Sequence, residues 1–346
     1  MKYTTITTLA ALLLGTAGAF AQSTAYTTPT GFVTHTLKAG KFNLIGLTLH
    51  EPVVVSGAFE TVSGTMLTDN SVNFTTALDA GKTYVLEIIE NTADSSLVGS
   101  IQEITSWNAA TLTTPDDLGT DGLAGETAGG ANDGAKYQLR AAKTISDLFG
   151  ANNTAGLTAS TNISGADVIW LVNAAGGFDK YFYSPGGGLG GGAAGWKNAS
   201  GGDAGDPAIV YADALFIQSR AATDSDLVLT GAVKVSETTL ALSEGFNFVS
   251  TTYPVGSTLD NSGLETGLTQ ATNIASADVV WLSDGNGGYV KYFYSPGGGL
   301  GGGTVGWKDA SGSAAVDVPL TSGIIIQRRG AATNTELTPP ASYGNL

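Results

Sequence analysis

The chain has 346 residues, of which 42% are hydrophobic, 13% charged and 49 glycine, a length that accommodates two or three domains with packed cores. Charged residues stand at about half their usual share and glycine at about twice, a balance that favours strands and turns over helices. Thirty acids against 15 bases leave a net charge of −15, which excludes a duplex nucleic-acid partner, whose phosphates are met by Lys and Arg, and disfavours an anionic membrane surface.

The first 21 residues place Lys2 before an apolar stretch from Leu9 to Phe20 and end on the small-x-small run Ala19-Phe20-Ala21. This pattern reads as a Sec signal peptide cleaved after Ala21, too short to anchor in a bilayer. The expected location is the periplasm, the cell surface or the medium. The sequence contains no cysteine, which removes disulfides, thiolate metal ligands and a lipidated cysteine, so the fold must rest on hydrophobic cores.

Residues 28–50, with GFVTHTLKAGKFNLIGLTL, predict an opening pair of strands. Residues 51–140 carry further strand-like runs (VVVSGAFETVSGTMLTD, KTYVLEIIEN, GSIQEITSW) and much of the acidic excess. They are expected to form a small inserted β-barrel of five or six strands. The stretch GTDGLAGETAGGANDG (119–134) reads as an acidic loop and is a weak calcium candidate.

Residues 141–230 predict the remainder of the first module, residues 231–333 a second module, and residues 334–346 a tail without an apolar anchor. The ground for two modules is an internal repeat. KYFYSPGGGLGGG occurs at 180–192 and again at 291–303, and around it 161–201 matches 272–312 at 29 of 41 positions without a gap. Within each copy, ADVVWL and YVKYFYS are β-branched and aromatic runs joined by a glycine turn, a hairpin signature. GIIIQRR is a continuous apolar run expected to be a buried strand. Only KTISDLFG suggests a helical turn. The predicted class is all-β, with antiparallel sandwich-like or barrel-like modules in two tandem copies, the first interrupted by the insert.

The order of GKFNLIGLTL, VSGAFETVSGTMLT…YVLEIIEN…GSIQEITSW, YQLRAAKTISDLFG, ADVIWL…KYFY…GW…FIQSR and ADVVWL…KYFY…GW…IIIQRR covers nearly the whole chain after the signal peptide. In this order the sequence resembles a family of exported, β-rich repeat proteins of unknown function, restricted to verrucomicrobial and planctomycete bacteria. The resemblance implies an exported β-rich protein and supplies no catalytic residues. The long glycine segment SPGGGLGGG departs from the shorter segment expected in such a unit.

Chemical constellations are sparse. His35 and His50 are the only histidines, so a His/Cys metal centre is excluded by count and no G-x-S-x-G accompanies them. Their positions read as chance placement on the surface. Asp167 and Asp278 recur before a Trp-bearing strand and are the only pair weighed for carboxylate glycoside hydrolysis; a structural hydrogen bond at a strand start accounts for them better. The glycine runs lack the strand–turn–helix context of a phosphate loop. Asp284 in SDGNGG reads as a turn former. No catalytic residue, metal ligand or cofactor is assigned. The candidate ligand-binding set is aromatic: Tyr181, Tyr183 and Trp196 in the first copy and Tyr292, Tyr294 and Trp307 in the second, as exposed platforms beside the glycine loops, with Phe182 and Phe293 facing the core. The leading functional expectation is a non-enzymatic structural or surface component of the envelope or matrix. The alternative is a polysaccharide-binding protein whose paired sites act by avidity. The expected partners are extracellular polysaccharide or envelope proteins.

Overall fold

The structure, a computed structural model, describes residues 28–126, 134–173, 175–187, 192–298 and 303–346. The segment 1–21 expected to be a signal peptide, residues 127–133 of the acidic loop and the tips of both SPGGGLGGG segments lie outside the described residues. Strands β1 (Thr30–Leu37) and β2 (Phe42–Gly46) open the fold. The insert supplies β3 (Val53–Ala58), β4 (Thr61–Ser63), β5 (Met66–Thr68), β6 (Tyr84–Glu90), β7 (Ile101–Glu103), β8 (Ser106–Trp107), β9 (Thr111–Thr113) and β10 (Lys136–Ala141). The first unit resumes with β11 (Lys143–Thr144), β12 (Val168–Val172), β13 (Phe178–Ser184), β14 (Gly195–Asn198), β15 (Ala208–Ile209), β16 (Ala214–Gln218) and β17 (Ser225–Ala232). The second unit comprises β18 (Thr238–Leu242), β19 (Gly245–Ser250), β20 (Val279–Ser283), β21 (Tyr289–Ser295), β22 (Gly306–Asp309), β23 (Gly323–Arg328) and β24 (Thr333–Leu337).

The chain is all-β and antiparallel. Two five-stranded sheets run in the same neighbour order, β14-β13-β12-β16-β2 and β22-β21-β20-β23-β19. A two-stranded ribbon covers each: β1–β17 the first, β18–β24 the second. Leu37, Leu227 and Leu229 of the first ribbon pack on Ile45, Ile169, Ile217 and Trp196. Leu240, Leu242 and Leu337 of the second pack on Val280, Ile324, Ile326 and Trp307. Each unit is therefore a two-layer sandwich with an apolar filling. The short helix Ile145–Phe149 forms where KTISDLFG suggested one, held by a capping box between Thr144 and Asp147.

Two expectations change. The segment after 333 is not a tail: β24 pairs with β18 and closes the second sandwich, and Tyr343 is buried in the same core. The insert is not a closed barrel. Its strands form two four-stranded sheets, β3-β10-β6-β7 and β4-β5-β9-β8, around Phe59, Phe74, Leu86 and Tyr137. Strands of two or three residues such as β4, β5, β8 and β9 are too short to wrap with the stagger a barrel needs.

The two sandwiches meet through the outer faces of their large sheets. Leu44, Ala214 and Ile325 form a shared core, with Phe216, Phe248, Trp281 and Tyr289 packed against it. This explains the unbroken apolar run of β23: Ile324 and Ile326 face their own ribbon while Ile325 faces the other unit. Polar contacts cross in both directions. Ser250 donates its N–H to Ala212 O (2.7 Å) and its Oγ–H to Leu47 O (3.0 Å), and Gly46 donates its N–H to Ser322 Oγ (3.2 Å).

The approach is close enough to demand glycine. A Cβ on Gly46 would lie 2.6 Å from Gly323 N and 2.6 Å from Ser322 C, both backbone atoms of the other unit. Gly46→Ala is expected to destabilise the protein by about 1–3 kcal/mol in chemical unfolding, whereas Gly31→Ala, where a Cβ meets nothing within 4 Å, should leave the midpoint unchanged.

Candidate functional site

The aromatic residues singled out in the sequence are not exposed platforms. Trp196 and Trp307 are 6% and 2% exposed and belong to the two sandwich cores. Tyr183 stands beside Trp196 in the cross-strand register and Tyr294 beside Trp307, so the tyrosine face is the inner face of each sheet. The rings meet edge-on, with centroids 5.3 and 5.5 Å apart. Tyr181 and Tyr292 are half-buried against the same cores. Phe182 and Phe293 are also buried, but on the opposite face. The physical reason is coverage: the ribbons overlie the tyrosine face, and a large amphipathic ring there fills the sandwich.

The glycine loops are explained in part by backbone geometry. Gly186 and Gly187 have φ of 75° and 79°, and Gly297 and Gly298 have 76° and 81°. Such consecutive left-handed residues favour glycine, and each loop is closed by the same bridge, Gly187 to Gly192 and Gly298 to Gly303.

A doubled aromatic arrangement does exist on the other face, and the sequence reading missed it. Lys180 Nζ lies 3.8 Å from the Trp170 ring centroid and Lys291 Nζ 4.0 Å from that of Trp281. Phe42 meets Trp170 edge-on at 5.4 Å, and Phe246 meets Trp281 at 6.1 Å. Phe42 and Phe246 remain 42% and 55% exposed. The available signal was the period-two spacing of Lys180 from Phe182, which places Lys180 and Trp170 together across the hairpin.

The carboxylate pair is consumed by architecture. Asp167 accepts the N–H groups of Thr158 (2.8 Å) and Arg220 (2.5 Å). Asp278 accepts those of Thr269 (2.7 Å) and Arg329 (2.7 Å) and pairs with Arg328. Each ties its own unit's β12 or β20 entrance to the end of the neighbouring strand in the sheet, β16 or β23. Asp284 accepts N–H from Asn286 and Gly288, as Asn173 does from Ala175 and Gly177 in the equivalent turn. Among the described residues, no group of three or more His, Asp or Glu side chains is arranged to hold a metal ion.

The histidines are not surface residues. His35 is 9% and His50 2% exposed. His50 belongs to a buried polar cluster where the insert meets both sandwiches. At its centre Glu87, on β6, pairs with Arg140 of β10 (2.9 Å) and with Lys234 (3.7 Å), and accepts a short hydrogen bond from Tyr211. Lys234, wholly buried, also donates to Ser236 Oγ (2.6 Å) and Glu237 O (2.5 Å). Tyr253 donates to Ser236 O (2.7 Å). His50 Nε2–H donates to Thr252 O (2.9 Å), and its ring stands 4.4 Å from that of Tyr211. Burial alone would raise the Glu87 pKa, but Lys234 and Arg140 outweigh it and hold the carboxyl low. Burial lowers Lys234 to about 8 and His50 to about 3.

Two clefts flank the contact between the sandwiches. One, of about 340 Å³, lies among the insert, Ala212–Asp213 and β18, and is lined by Asp116, Asp121 and Asp213; burial raises Asp213 to about 6. The other, of about 400 Å³, lies between β1–β2 and the β20–β21 turn. Compared with protein-family models, curated proteins and solved structures, the chain matches none.

Glu87→Gln would leave two buried cations without their counter-charge and is expected to cost about 3–5 kcal/mol. Glu90→Gln, which breaks the exposed Lys136–Glu90 pair, should cost less than about 1 kcal/mol; urea titrations of both variants make the comparison. Acid provides a second check. His50 is depressed in the folded state, so its stabilising contribution is complete above the unfolded value of 6.5 and declines as pH falls toward 3. Between pH 7 and 5 it accounts for a loss of about 2 kcal/mol. His35 acts in the same direction, and Asp213, raised in the folded state, in the opposite one. His50→Gln, which keeps a donor for Thr252 O, should therefore show about 2 kcal/mol less acid destabilisation over this interval than the wild type.

Proposed function

We propose that the protein is an exported, non-enzymatic component of the cell surface or extracellular matrix, built from two copies of one β unit around an inserted domain. The export reading draws on the N-terminal segment and on the resemblance to the verrucomicrobial and planctomycete family. The single observation that carries the non-enzymatic reading is the use of the reactive side chains. Asp167 and Asp278 are saturated with backbone donors, His50 is sealed beside Tyr211, and Trp196 and Trp307 fill cores.

Apolar side chains presented outward support an assembly role. Phe32 is 73% and Val228 52% exposed on the outer face of the β1–β17 ribbon. Phe32 is paired with Thr230 and Val228 with Thr34, so the two apolar groups are diagonal neighbours on one flat face. A second copy of the chain is the occupant proposed for this face, because a two-fold axis would set the same apolar pair of each copy against the other.

Light scattering across a concentration series tests this reading. The wild type is expected to grow from monomer toward dimer or larger species, and the double variant Phe32→Ser, Val228→Ser to remain monomeric with an unchanged melting temperature. A wild type that stays monomeric to millimolar concentration would sink the assembly reading.

A further inference from the structure

We infer that the groove between the first sandwich's opening strands and the second sandwich's β20–β21 turn is a binding site for a neutral saccharide. Its volume of about 400 Å³ falls within the range of small-ligand sites. Its lining is rich in hydroxyls: Thr36, Ser283 and Ser322 stand around it with His35, and Phe42 and Tyr289 supply ring surface. The walls come from the edges of two sheets. In the sheet order β1 pairs with β17 and β2 with β16, and the second edge of β2 meets Ser322, whose Oγ accepts from Gly46 N–H and donates to Leu44 O. Gly287 keeps the far wall close, with a φ of 83° and a virtual Cβ 2.7 Å from Lys41 Cγ.

The electrostatics select against a charged ligand. Lys38 is paired with Asp224 at 2.9 Å, and the Asp284 carboxylate beside the groove is occupied by the N–H groups of Asn286 and Gly288. His35 is held neutral by burial. Lys41, at the far wall, is balanced by the charge of Asp284 in turn, so the groove offers a charged ligand no net counter-charge to offset its desolvation. A sugar needs none, because its hydroxyls both donate and accept and its C–H faces lie against aromatic rings.

His35 is nine-tenths buried and forms part of the groove wall. Its Nε2 is sealed from solvent, so the polar contacts to a ligand fall to the groove hydroxyls. The half-exposed Phe42 ring at the rim provides the stacking surface that the sequence had assigned to Trp196 and Trp307. The site does not depend on the assembly proposed above, since all of its walls belong to one chain.

Affinity electrophoresis of the full exported chain tests the site, in gels carrying a soluble mixed-linkage β-glucan, a galactomannan or, as an anionic control, alginate. Retardation is expected in at least one neutral gel and not in alginate. The loss of one ring contact in Phe42→Ala and obstruction of the groove in Ser283→Trp should each weaken binding by roughly five-fold or more. Both positions are solvent-exposed, and an unchanged melting curve separates lost binding from lost folding. Phe246→Ala, at the corresponding exposed phenylalanine of the second sandwich, should bind as the wild type does. Short oligosaccharides of the retarding glycan should compete if single units are recognised; failure to compete would assign the site to the polymer. No retardation in either neutral gel, retardation only in alginate, or equal retardation of wild type and both groove variants would overturn the inference.

Discussion

The burial of the Glu87 carboxylate is the constraint around which the three parts of the molecule are arranged. An acid this deep is tolerable only with compensating charge and hydrogen bonds, and its partners come from separate regions. Arg140 belongs to the insert, Tyr211 to the first sandwich, and Lys234 to the segment between the sandwiches. Moving any of these regions away would leave an uncompensated charge in a dry interior. The cluster therefore specifies a relative placement that apolar packing alone would determine less sharply. Arg140 and Lys143 reach back to Glu51 as well, through its backbone carbonyl and its side chain. The entry to the insert and the exit from it are thus fastened at one place.

Much of the fold could be read from local pattern, because strands and hairpins are local. The alternation in YVKYFYS, the glycine turn before it and the apolar run GIIIQRR each correspond to β21, its preceding turn and β23. What failed was non-local. Period two separates Tyr292 and Tyr294 from Phe293 correctly, yet it cannot say which face a ribbon 40 or more residues away will cover. Trp307 follows the same rule: its neighbours in sequence are Gly306 and Lys308, while its neighbours in space are core leucines and isoleucines.

The buried cluster did leave a trace. Glu87 lies within YVLEII, Arg140 within YQLRAA and Lys234 within GAVKVS, each a lone charge in a largely apolar strand-like run. A charged residue on a strand whose neighbours on both faces are apolar calls for a partner. The sequence cannot pair them, because the separations of 53 and 147 residues between Glu87 and its two cations carry no local signal.

The relation between the two clefts follows from the way the sandwiches meet. Aligning Gln218 with Gln327 sets Ala212–Asp213 against Thr321–Ser322, and these two dipeptides line the two clefts. Each lies beside the other sandwich's opening strands, as contacts repeated about an approximate two-fold relation would place them. The insert breaks that equivalence. Its residues Leu97–Asp121 wall the first cleft, which holds Asp116, Asp121 and the elevated Asp213. The second keeps Ser322 in place of the acid and is bounded by a glycine turn in place of the insert. One junction has thus become acidic and the other polar and neutral, although both rest on the same pair of sheets. The two like-ordered sheets supply the frame, and the insert makes its two ends chemically different.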